Sequence, residues 1–266
     1  MPKISVIMGV YNCEDTIEEA IESIFNQSYK DWELVICDDA STDNTYEIVK
    51  KIQEKHPNKI KLLKNKTNLK LAASLNRCLE VADGDYIARM DGDDLSVENR
   101  FEEQVNFLNK HMEYDLVGTQ MISFDDQGDI GVVKIIEKPN KFTLRWNTPF
   151  CHATIIARRY VYEKLNGYTV SKRIKRCEDV DLWFRFYKEE FQGFNLQVPL
   201  YKVREREDDY KRRTLSHSID AACVCFNGYR LLNYPYRYYI FLLKPILSGL
   251  TPAWLMKKVH DKRNRR

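Results

Sequence analysis

The first 110 residues alternate between short β-branched runs and amphipathic helical stripes, and this alternation constrains the fold more than any other feature. Residues 4–10 form a compact apolar run that ends at Tyr11 and Asn12, which is typical of a buried strand. Further strands are predicted at 32–37, 60–63 and 86–90. Each strand precedes an apolar stripe at helical spacing; the first stripe comprises Ile17, Ala20, Ile21, Ile24 and Phe25. The pattern predicts parallel strands joined by right-handed crossovers, and therefore an α/β fold with a Rossmann-like, mostly parallel sheet flanked by helices.

The second part of the chain follows a looser pattern. Strands are predicted at 116–119 and 130–136, a short helix at 161–165 and a longer helix at 180–191. The sequence contains no internal repeat and no low-complexity linker. We therefore predict one domain over residues 1–205, followed by a helical extension over residues 206–266.

The net charge of +3 conceals two parts of opposite sign. Residues 204–266 carry 14 Lys and Arg against 6 Asp and Glu, whereas the preceding residues have a net charge of −5. Residues 234–256 are rich in aromatic residues and leucine, but Lys244, Pro245 and Pro252 interrupt them, and a spanning helix needs about 20 apolar residues. Six Lys and Arg then lie between residues 257 and 266. We predict peripheral membrane contact through this extension; the alternative is a helix pair packed on the domain with a basic end.

The cysteines and the N-terminus indicate the cellular compartment of the protein. Seven scattered cysteines with no Cys-x-x-Cys pair favour reduced thiols. The chain opens on a strand-like run without a signal-peptide pattern, so we predict a cytoplasmic protein at the inner face of the cell membrane. No nucleic-acid-binding motif accompanies the basic residues, and no nucleic-acid partner is predicted.

Acidic residues cluster where two of the predicted strands end. Asp38 and Asp39 follow the second strand, and Asp91-Gly92-Asp93-Asp94 follows the fourth. Ligands of such sheets bind beyond the carboxyl ends of the strands, so these clusters are expected to share one crevice with Tyr11 and Asn12. Solvated turns also favour Asp and Gly, and that is the alternative for each cluster. Grouped carboxylates at a ligand site are best explained by a divalent cation, Mn²⁺ or Mg²⁺.

Five segments together resemble family 2 glycosyltransferases with the GT-A fold. The resemblance covers roughly residues 3–205, and each segment lies in the expected order and at the expected secondary-structure position. The segments are ISVIMGVYN at 4–12, DDASTD at 38–43, NLKLAASLN at 68–76, ARMDGDD at 88–94 and EDVDLW at 178–183.

The resemblance implies a role for several residues. The backbone at Gly9 and the ring of Tyr11 would border the nucleotide base. Asp39 would hold the base or ribose, while Asp91 and Gly92 would lie near the ribose and diphosphate. Asp38 is predicted to bind the nucleotide sugar as well, from its position at the end of the second strand. Asp93, assisted by Asp91, would bind the metal. Asp179 would be the catalytic base.

Two further residues, His152 and Trp183, are predicted to contact the nucleotide sugar. His152 is equally compatible with a structural role. Trp183 lies beside Leu182 and Phe186 on the predicted helix, where it could be part of the core. Glu178 is explained equally well by its place in the first turn of that helix, where an acidic side chain interacts favourably with the helix dipole.

The resemblance also implies a reaction. Family members of this kind invert the anomeric centre in one displacement, with residues 1–112 binding the nucleotide and residues 113–205 the acceptor. Because the Gln-x-x-Arg-Trp motif of processive synthases is absent after Asp179, one sugar is expected per reaction. A UDP-sugar donor, and a glycan or lipid-linked glycan acceptor in surface-polysaccharide synthesis, are expected. The sequence departs from the family at Gly9, where Pro is common, and at Lys70, where Gly is common.

There are two alternative functions. A nucleotidyltransferase would carry a Gly-rich basic loop after the first strand, but residues 11–15 are acidic. The alternative from another class is a catalytically inactive sugar-nucleotide-binding or membrane scaffold protein.

Overall fold

The computed structural model describes residues 2–174, 176–205 and 215–250, and its first half follows the predicted alternation. The strands there are β1 (Ile4–Val10), β2 (Trp32–Asp38), β3 (Ile60–Lys64), β4 (Tyr86–Arg89) and the short β5 (Leu95–Ser96). The helices are α1 (Ile17–Phe25), α2 (Thr45–Lys55), α3 (Leu71–Val81) and α4 (Arg100–Lys110). Strand and helix positions predicted for residues 4–110 agree with these elements to within a few residues.

The described residues of the second half add further strands and four more helices. The strands are β6 (Leu116–Asp125), β7 (Gly128–Val133), β8 (Ile156–Arg158) and β9 (Gly193–Arg204). The helices are α5 (Arg159–Leu165), α6 (Glu178–Lys188), α7 (Leu215–Leu231) and α8 (Leu243–Leu250), and 3₁₀ turns lie at Lys141–Arg145, His152–Thr154 and Tyr236–Leu242.

One mixed sheet unites the strands in the order β3-β2-β1-β4-β8-β6-β9-β5, with β7 paired to β6. β1 to β4 are parallel, and β8 runs antiparallel between β4 and β6. β9 runs parallel to β6. The prediction of an α/β fold built on a Rossmann-like sheet flanked by helices is confirmed.

Both faces of the sheet are buried, as the apolar run of β1 requires. Alternate residues Ile4, Val6, Met8 and Val10 pack in a core with α1, α2 and α4. Ile7 points to the other face and packs in a second core with α3, α5 and α6. Each such buried aliphatic side chain contributes about 1.5–3 kcal/mol to folding. The three layers hold the carboxyl ends of β1, β2 and β4 at a fixed edge.

Apart from the two-residue β5, which was not predicted, the differences from the predicted elements lie after residue 110. β6 extends through ten residues, where we predicted four, and the twelve-residue β9 was not predicted. β9 mixes polar residues with Pro199, and its register against β6 shifts beside Gln120, so its pattern is not that of a regular strand. Pairing with β6 decides its conformation.

The described part of the extension packs on the domain. α7 contacts α6 so closely that a Cβ atom at Gly228 would lie 2.2 Å from ring atoms of Phe184. Tyr229 and Tyr234 are buried in the core that contains α6. Among the described residues, no helix is both long and apolar enough to cross a membrane. The basic residues between 257 and 266 lie outside the described residues.

Candidate active site

The polar segments that follow β1, β2 and β4 lie side by side at one edge of the sheet. The Asn12 N–H donates to the Ser41 hydroxyl over 3.0 Å, and Asn12 Oδ1 accepts from the Thr42 N–H over 2.9 Å. The Thr16 hydroxyl donates to the Gly92 carbonyl over 3.0 Å. The three segments therefore border one crevice, at the edge where such sheets carry ligands.

Asp39 fixes the loop that leads into α3. One carboxylate oxygen accepts from the Asn65 amide over 2.6 Å and from the Leu69 N–H over 2.8 Å. The other accepts from the Lys70 N–H over 2.8 Å. Because Asp39 is only 4% exposed, its main effect on the crevice is to shape the 65–70 loop.

Asp38 is fully buried at the end of β2. Its Oδ2 accepts from the Ser41 N–H over 3.2 Å, and its Oδ1 has no hydrogen-bond partner in the part of the chain that the structure describes. The side chain therefore has no surface for direct contact with a nucleotide. This corrects the prediction that Asp38 binds the nucleotide sugar.

The three carboxylates after β4 have different environments. Asp94 is 3% exposed, and it accepts from the Tyr201 hydroxyl over 2.9 Å and from the Arg204 N–H over 2.8 Å. Burial raises the pKa of Asp94, and the charges of Asp91 and Asp93 raise it further. Asp94 thus ties the loop to β9, while Asp91 and Asp93 are only partly buried.

Buried residues on the core side of Asp91 fix its position. Arg89 Nη2 lies 2.6 Å from Asp91 Oδ1, and the Arg89 side chain is 1% exposed. The Asp91 N–H donates to the Tyr201 hydroxyl over 3.2 Å. The buried Arg100 donates to the Arg89 carbonyl over 2.9 Å, and its guanidinium lies 4.9 Å from the centre of the Tyr201 ring. These contacts fix both the backbone and the carboxylate of Asp91.

Two glycines allow close packing around the crevice. A Cβ atom at Gly9 would lie 3.0 Å from Leu71 Cδ1, and one at Gly92 would lie 2.8 Å from Val10 Cγ1. Tyr11, directly after β1, is exposed. Because both positions lack a side chain, the segments that border the crevice can pack closely. The exposed ring of Tyr11 lies at the edge of the crevice.

Asp179 is the second residue of α6 and is partly buried. Its Oδ1 accepts from the Val180 N–H over 2.8 Å. Burial raises the pKa of Asp179 above the ordinary value of 3.8, although neighbouring N–H groups and Arg89 oppose the shift. Burial also raises the pKa of Glu178. A carboxylate with a raised pKa is a stronger base than a free aspartate, which suits proton abstraction.

His152 belongs to a hydrogen-bonded group of aromatic residues. Its Nε2 lies 2.8 Å from the Tyr168 hydroxyl, which lies 3.0 Å from the Tyr162 hydroxyl. Burial and, secondarily, the charge of Arg89 lower the pKa of His152 well below 6.5. The imidazole is therefore neutral at pH 7.

Trp183 lies in the core and not on an open surface. Its ring is fully buried, 5.1 Å from the Phe150 ring and 6.1 Å from the Phe186 ring between centres. It has no exposed face on which a sugar could stack. The prediction that Trp183 contacts the donor sugar is therefore wrong, because the apolar face of α6 takes it into the core.

A cavity of about 790 Å³ lies beside these residues. It is lined by the start of α3, by residues 169–172, by Ile174, Arg176 and Glu178, and by His217 of α7. Lys70, at its edge, has φ 76° and ψ 165°, a conformation normally reserved for glycine. The extension after residue 205 therefore contributes to the cavity through α7.

Residues 5–165 match the family described as Glycosyl transferase family 2. This chain belongs to family 2 of the glycosyltransferases. It is 51% identical over 262 residues to "Putative glycosyltransferase EpsE" of Bacillus subtilis (strain 168), covering 98% of this chain and 94% of that protein.

A second relative is more distant. The "UDP-Glc:alpha-D-GlcNAc-diphosphoundecaprenol beta-1,3-glucosyltransferase WfaP" of Escherichia coli is 29% identical over 201 residues, which cover 74% of this chain and 75% of that protein.

A solved structure has the same fold. The mannosyltransferase PcManGT of Pyrobaculum calidifontis, in complex with GDP-Man and Mn²⁺, matches with a TM-score of 0.63 at 20% identity. The match covers 97% of this glycosyltransferase and 79% of PcManGT. It confirms the GT-A prediction for the fold.

Sequence reasoning missed the groups that support the acidic loop of this glycosyltransferase. Tyr201 is 107 residues from Asp94 in the chain, and no local pattern connects them. Arg89 belongs to the ARMDGDD segment, and a charged residue inside a predicted buried strand could have indicated that it has a buried partner. A buried charge needs a partner, and here the partner is Asp91.

The backbone of Lys70 leads to a stability prediction. We expect Lys70→Gly to raise the free energy of unfolding, because relief of about 1–3 kcal/mol of strain outweighs the roughly 0.5–1 kcal/mol entropic cost of glycine. The midpoint of thermal unfolding is expected to rise by about 2–4 °C for a net gain of about 1 kcal/mol. Lys66→Gly, at an exposed position of the same loop without positive φ, is the control and should lower it. Equal destabilisation by both variants would contradict the assignment of strain to Lys70.

Proposed function

We propose that this glycosyltransferase moves one sugar from a UDP-sugar to a hydroxyl of a glycan or lipid-linked glycan, with inversion, in surface-polysaccharide synthesis. The main observation in support of this proposal is the arrangement of three carboxylates, two at the end of β4 and one at the start of α6. Asp91 and Asp93 are partly exposed at the carboxyl end of β4, and Asp179, with its raised pKa, begins α6. WfaP, whose name gives UDP-glucose as donor and a diphosphoundecaprenol-linked acceptor, supports the choice of substrates.

Asp91 and Asp93 are proposed to hold Mn²⁺ or Mg²⁺ together with the donor diphosphate. Mg²⁺ sites of this type use one or two carboxylates and complete the coordination with phosphate oxygens and water. Asp94 is excluded from this role because its carboxylate is buried against Tyr201 and Arg204. Mn²⁺ is bound in the structure of PcManGT, which shares the fold. When bound, the metal would stabilise the negative charge of the departing diphosphate.

The remaining crevice residues are proposed to position the nucleotide. Tyr11 would lie against the base, with the backbone at Gly9 and Gly92 allowing close approach. Asp39 would act through the 65–70 loop, and it retains acceptor capacity for a ribose or base N–H or O–H. His152, neutral and hydrogen-bonded to Tyr168, is proposed to orient groups near the donor sugar.

Asp179 is proposed to be the base. Its carboxylate would accept the proton of the acceptor hydroxyl as that oxygen attacks the anomeric carbon, and the nucleoside diphosphate would leave from the opposite face. No nucleophile of the protein takes part, because the displacement occurs in one step. The alternative of a catalytically inactive scaffold protein is not favoured, since Asp91, Asp93 and Asp179 are all present in this chain.

The extension is proposed to contact a membrane surface and place the enzyme at its cytoplasmic face. An exposed apolar stripe with spacings of three and four residues runs along it: Tyr236, Ile240, Leu243, Leu247 and Leu250. The basic residues between 257 and 266 follow this stripe in the chain. Apolar residues beside basic ones are typical of interfacial segments. We also retain, as a proposal, residues 1–205 as the catalytic domain and 206–266 as this extension.

The reaction is tested by characterising the product. The enzyme would be incubated with a panel of α-linked UDP-sugars and glycan acceptors in the presence of Mn²⁺. Mass spectrometry is expected to show the addition of one sugar, and proton NMR a β-linked product. An α-linked product, or a ladder of additions, would contradict inversion or single transfer.

Tyr201 provides a test of the metal proposal, because its hydroxyl bonds both Asp94 and the Asp91 backbone. We expect Tyr201→Phe to weaken Mn²⁺ binding in the presence of UDP by about tenfold, as loss of a supporting hydrogen bond does at other metal sites. A Mn²⁺ titration followed by thermal shift measures it. Tyr29→Phe removes a hydroxyl that donates to the distant Pro2 carbonyl and is the control. Equal Mn²⁺ affinity in both variants would contradict the supporting role of Tyr201.

A further inference from the structure

Tyr168 is held at its backbone by a residue of α3. The Tyr168 N–H donates to Asn76 Oδ1 over 2.7 Å, and the Tyr168 carbonyl accepts from Asn76 Nδ2 over 2.8 Å. Asn76 is the last residue of the segment NLKLAASLN, and the proposed reaction assigns no role to it. The two bonds fix the backbone of Tyr168 against α3, and its ring packs in the core that contains α5 and α6.

The Tyr168 hydroxyl lies between two side chains, His152 and Tyr162. His152 Nε2 is 2.8 Å from it, and the Tyr162 hydroxyl is 3.0 Å from it. Both tyrosines are buried, and neither hydroxyl has a further hydrogen bond in the described ranges. Burial raises the pKa of Tyr162 to about 12 and raises that of Tyr168 well above 10. Both hydroxyls therefore keep their hydrogen at pH 7, and each buried hydrogen needs an acceptor.

Only one direction of these hydrogen bonds gives both hydroxyl hydrogens an acceptor. If Tyr162 donates to Tyr168 and Tyr168 donates to His152 Nε2, both hydrogens are used. In the reverse direction, Nε2–H donates to Tyr168 and Tyr168 to Tyr162, and the buried Tyr162 hydrogen has no acceptor among the described residues. Leaving a buried donor without an acceptor is costly. The first direction is therefore favoured, and it places the hydrogen of the neutral imidazole on Nδ1.

The surroundings of His152 connect it to the proposed reaction. Its Nδ1 forms no hydrogen bond with a residue that the structure describes, and the side chain is only partly buried. Arg89, which binds Asp91, adds its charge to the effect of burial that lowers the pKa of His152. The same charge opposes the effect of burial that raises the pKa of Asp179. His152 thus lies near the cation that also acts on the proposed metal ligand and the proposed base.

We propose that Tyr168 is a positioning residue that holds His152 as the Nδ1–H tautomer, so that Nδ1–H donates to an oxygen of the donor sugar. Asn76 fixes the backbone of Tyr168, and Tyr162 donates to the Tyr168 oxygen and leaves the Tyr168 hydrogen for His152. The contact with the sugar rests on the proposed transferase function. The tautomer is a property of the protein alone.

The ¹⁵N spectrum of the wild-type protein tests the tautomer without any ligand. The full chain, which contains five histidines, is labelled with [¹⁵N]histidine, and His152 is assigned by the signals that disappear in His152→Gln. At pH 7 we expect Nδ1 to carry the hydrogen and Nε2 to resonate as an unprotonated acceptor nitrogen. A hydrogen on Nε2, or on both nitrogens, would overturn the assignment.

Two variants that each remove one hydroxyl test the direction of the hydrogen bonds. Tyr168→Phe removes the donor to Nε2, so Nε2–H is expected to become populated. Tyr162→Phe leaves His152 as the remaining acceptor for the Tyr168 hydrogen, so the Nδ1–H tautomer should persist. The reverse direction predicts a change from Nε2–H to Nδ1–H in Tyr162→Phe. An unchanged tautomer in Tyr168→Phe would overturn the positioning role.

Transfer kinetics test the contact with the donor sugar. Initial rates are measured with UDP-glucose, or with the UDP-sugar that the product assay selects. We expect Tyr168→Phe to lower kcat/KM about threefold to tenfold, the effect of one hydrogen bond between neutral groups. The Kd of UDP, which lacks the sugar, should stay unchanged by calorimetry.

Tyr86→Phe is the control for these rates. It removes the hydroxyl of a buried tyrosine at the start of β4, which donates to Asn109 over 2.8 Å, and should leave kcat/KM unchanged. An equal loss of kcat/KM in Tyr86→Phe and Tyr168→Phe, or none in Tyr168→Phe, would overturn the contact with the sugar.

The tautomer and the proposed function fail separately. If a UDP-sugar gives product but Nε2 carries the hydrogen, the positioning role is wrong and the transferase proposal stands. If Nδ1 carries the hydrogen but no UDP-sugar gives product, the proposed function and the contact with the sugar are wrong, whereas the assignment of the tautomer stands.

Discussion

Asp179→Asn is expected to lower turnover by about 10²–10⁴-fold, the usual contribution of a general base. The asparagine keeps the shape of the side chain but cannot accept the proton of the acceptor hydroxyl. Donor binding should persist, because Asp179 lies on α6 and the nucleotide residues lie at the ends of β1, β2 and β4. Initial rates with a UDP-sugar, together with calorimetry of UDP binding, separate the two effects.

The same variant is expected to be more stable than the wild type at neutral pH. Burial raises the pKa of Asp179, so the folded state holds this proton more tightly than the unfolded state does. The stability that the group contributes is fully present below its unfolded pKa and is lost as pH rises through the raised folded pKa. Asp179→Asn should therefore unfold at a higher temperature at pH 7, and the difference should shrink as the pH falls toward 3.8.

The control for this pair of effects is Glu189→Gln, at an exposed position directly after the same helix. It should change neither turnover nor stability. Retention of turnover in Asp179→Asn would exclude Asp179 as the base. Loss of both turnover and thermal stability would indicate a structural role instead.

Asp93→Ala is expected to lower turnover by about 10²–10³-fold, because metal stabilisation of a leaving group contributes several kcal/mol. The variant should also lose the dependence of UDP binding on Mn²⁺, which calorimetry measures without a reaction. Asp94, buried against Tyr201 and Arg204, remains to hold the loop in place.

Asp15→Ala is a matched control for Asp93→Ala. It removes an exposed carboxylate from the loop after β1, where no metal role is proposed. Its Mn²⁺ dependence should equal that of the wild type. If Asp93→Ala kept wild-type Mn²⁺ dependence, the metal would have to bind elsewhere.

The sequence predicted the first half of the fold well, because local pattern and packing agree there. β1 runs from Ile4 to Val10 as predicted, since each residue of the run is needed on one face or the other of a sheet covered on both sides. Agreement ends at β8 and β9. β8 has only three residues, and β9 is defined by pairing with β6 rather than by its own alternation.

For a similar reason, the positions of the candidate site residues along the fold could be predicted, but their environments could not. Asp91, Asp93 and Asp179 stand in short segments whose positions after a strand or at a helix start are visible in the sequence. The environment of each carboxylate is not visible there. Asp94 differs from Asp93 through contacts with Tyr201 and Arg204 at the end of β9. Such contacts arise only in the folded chain.

Binding of nucleotide sugars to the wild-type protein tests the central claim most directly. A panel of nucleotide sugars, each with and without Mn²⁺, would be screened by thermal unfolding, because a ligand of the folded state must raise the midpoint. We expect one UDP-sugar to raise the midpoint only when Mn²⁺ is present. If no nucleotide sugar changes the midpoint of folded protein under either condition, the proposed donor site is contradicted.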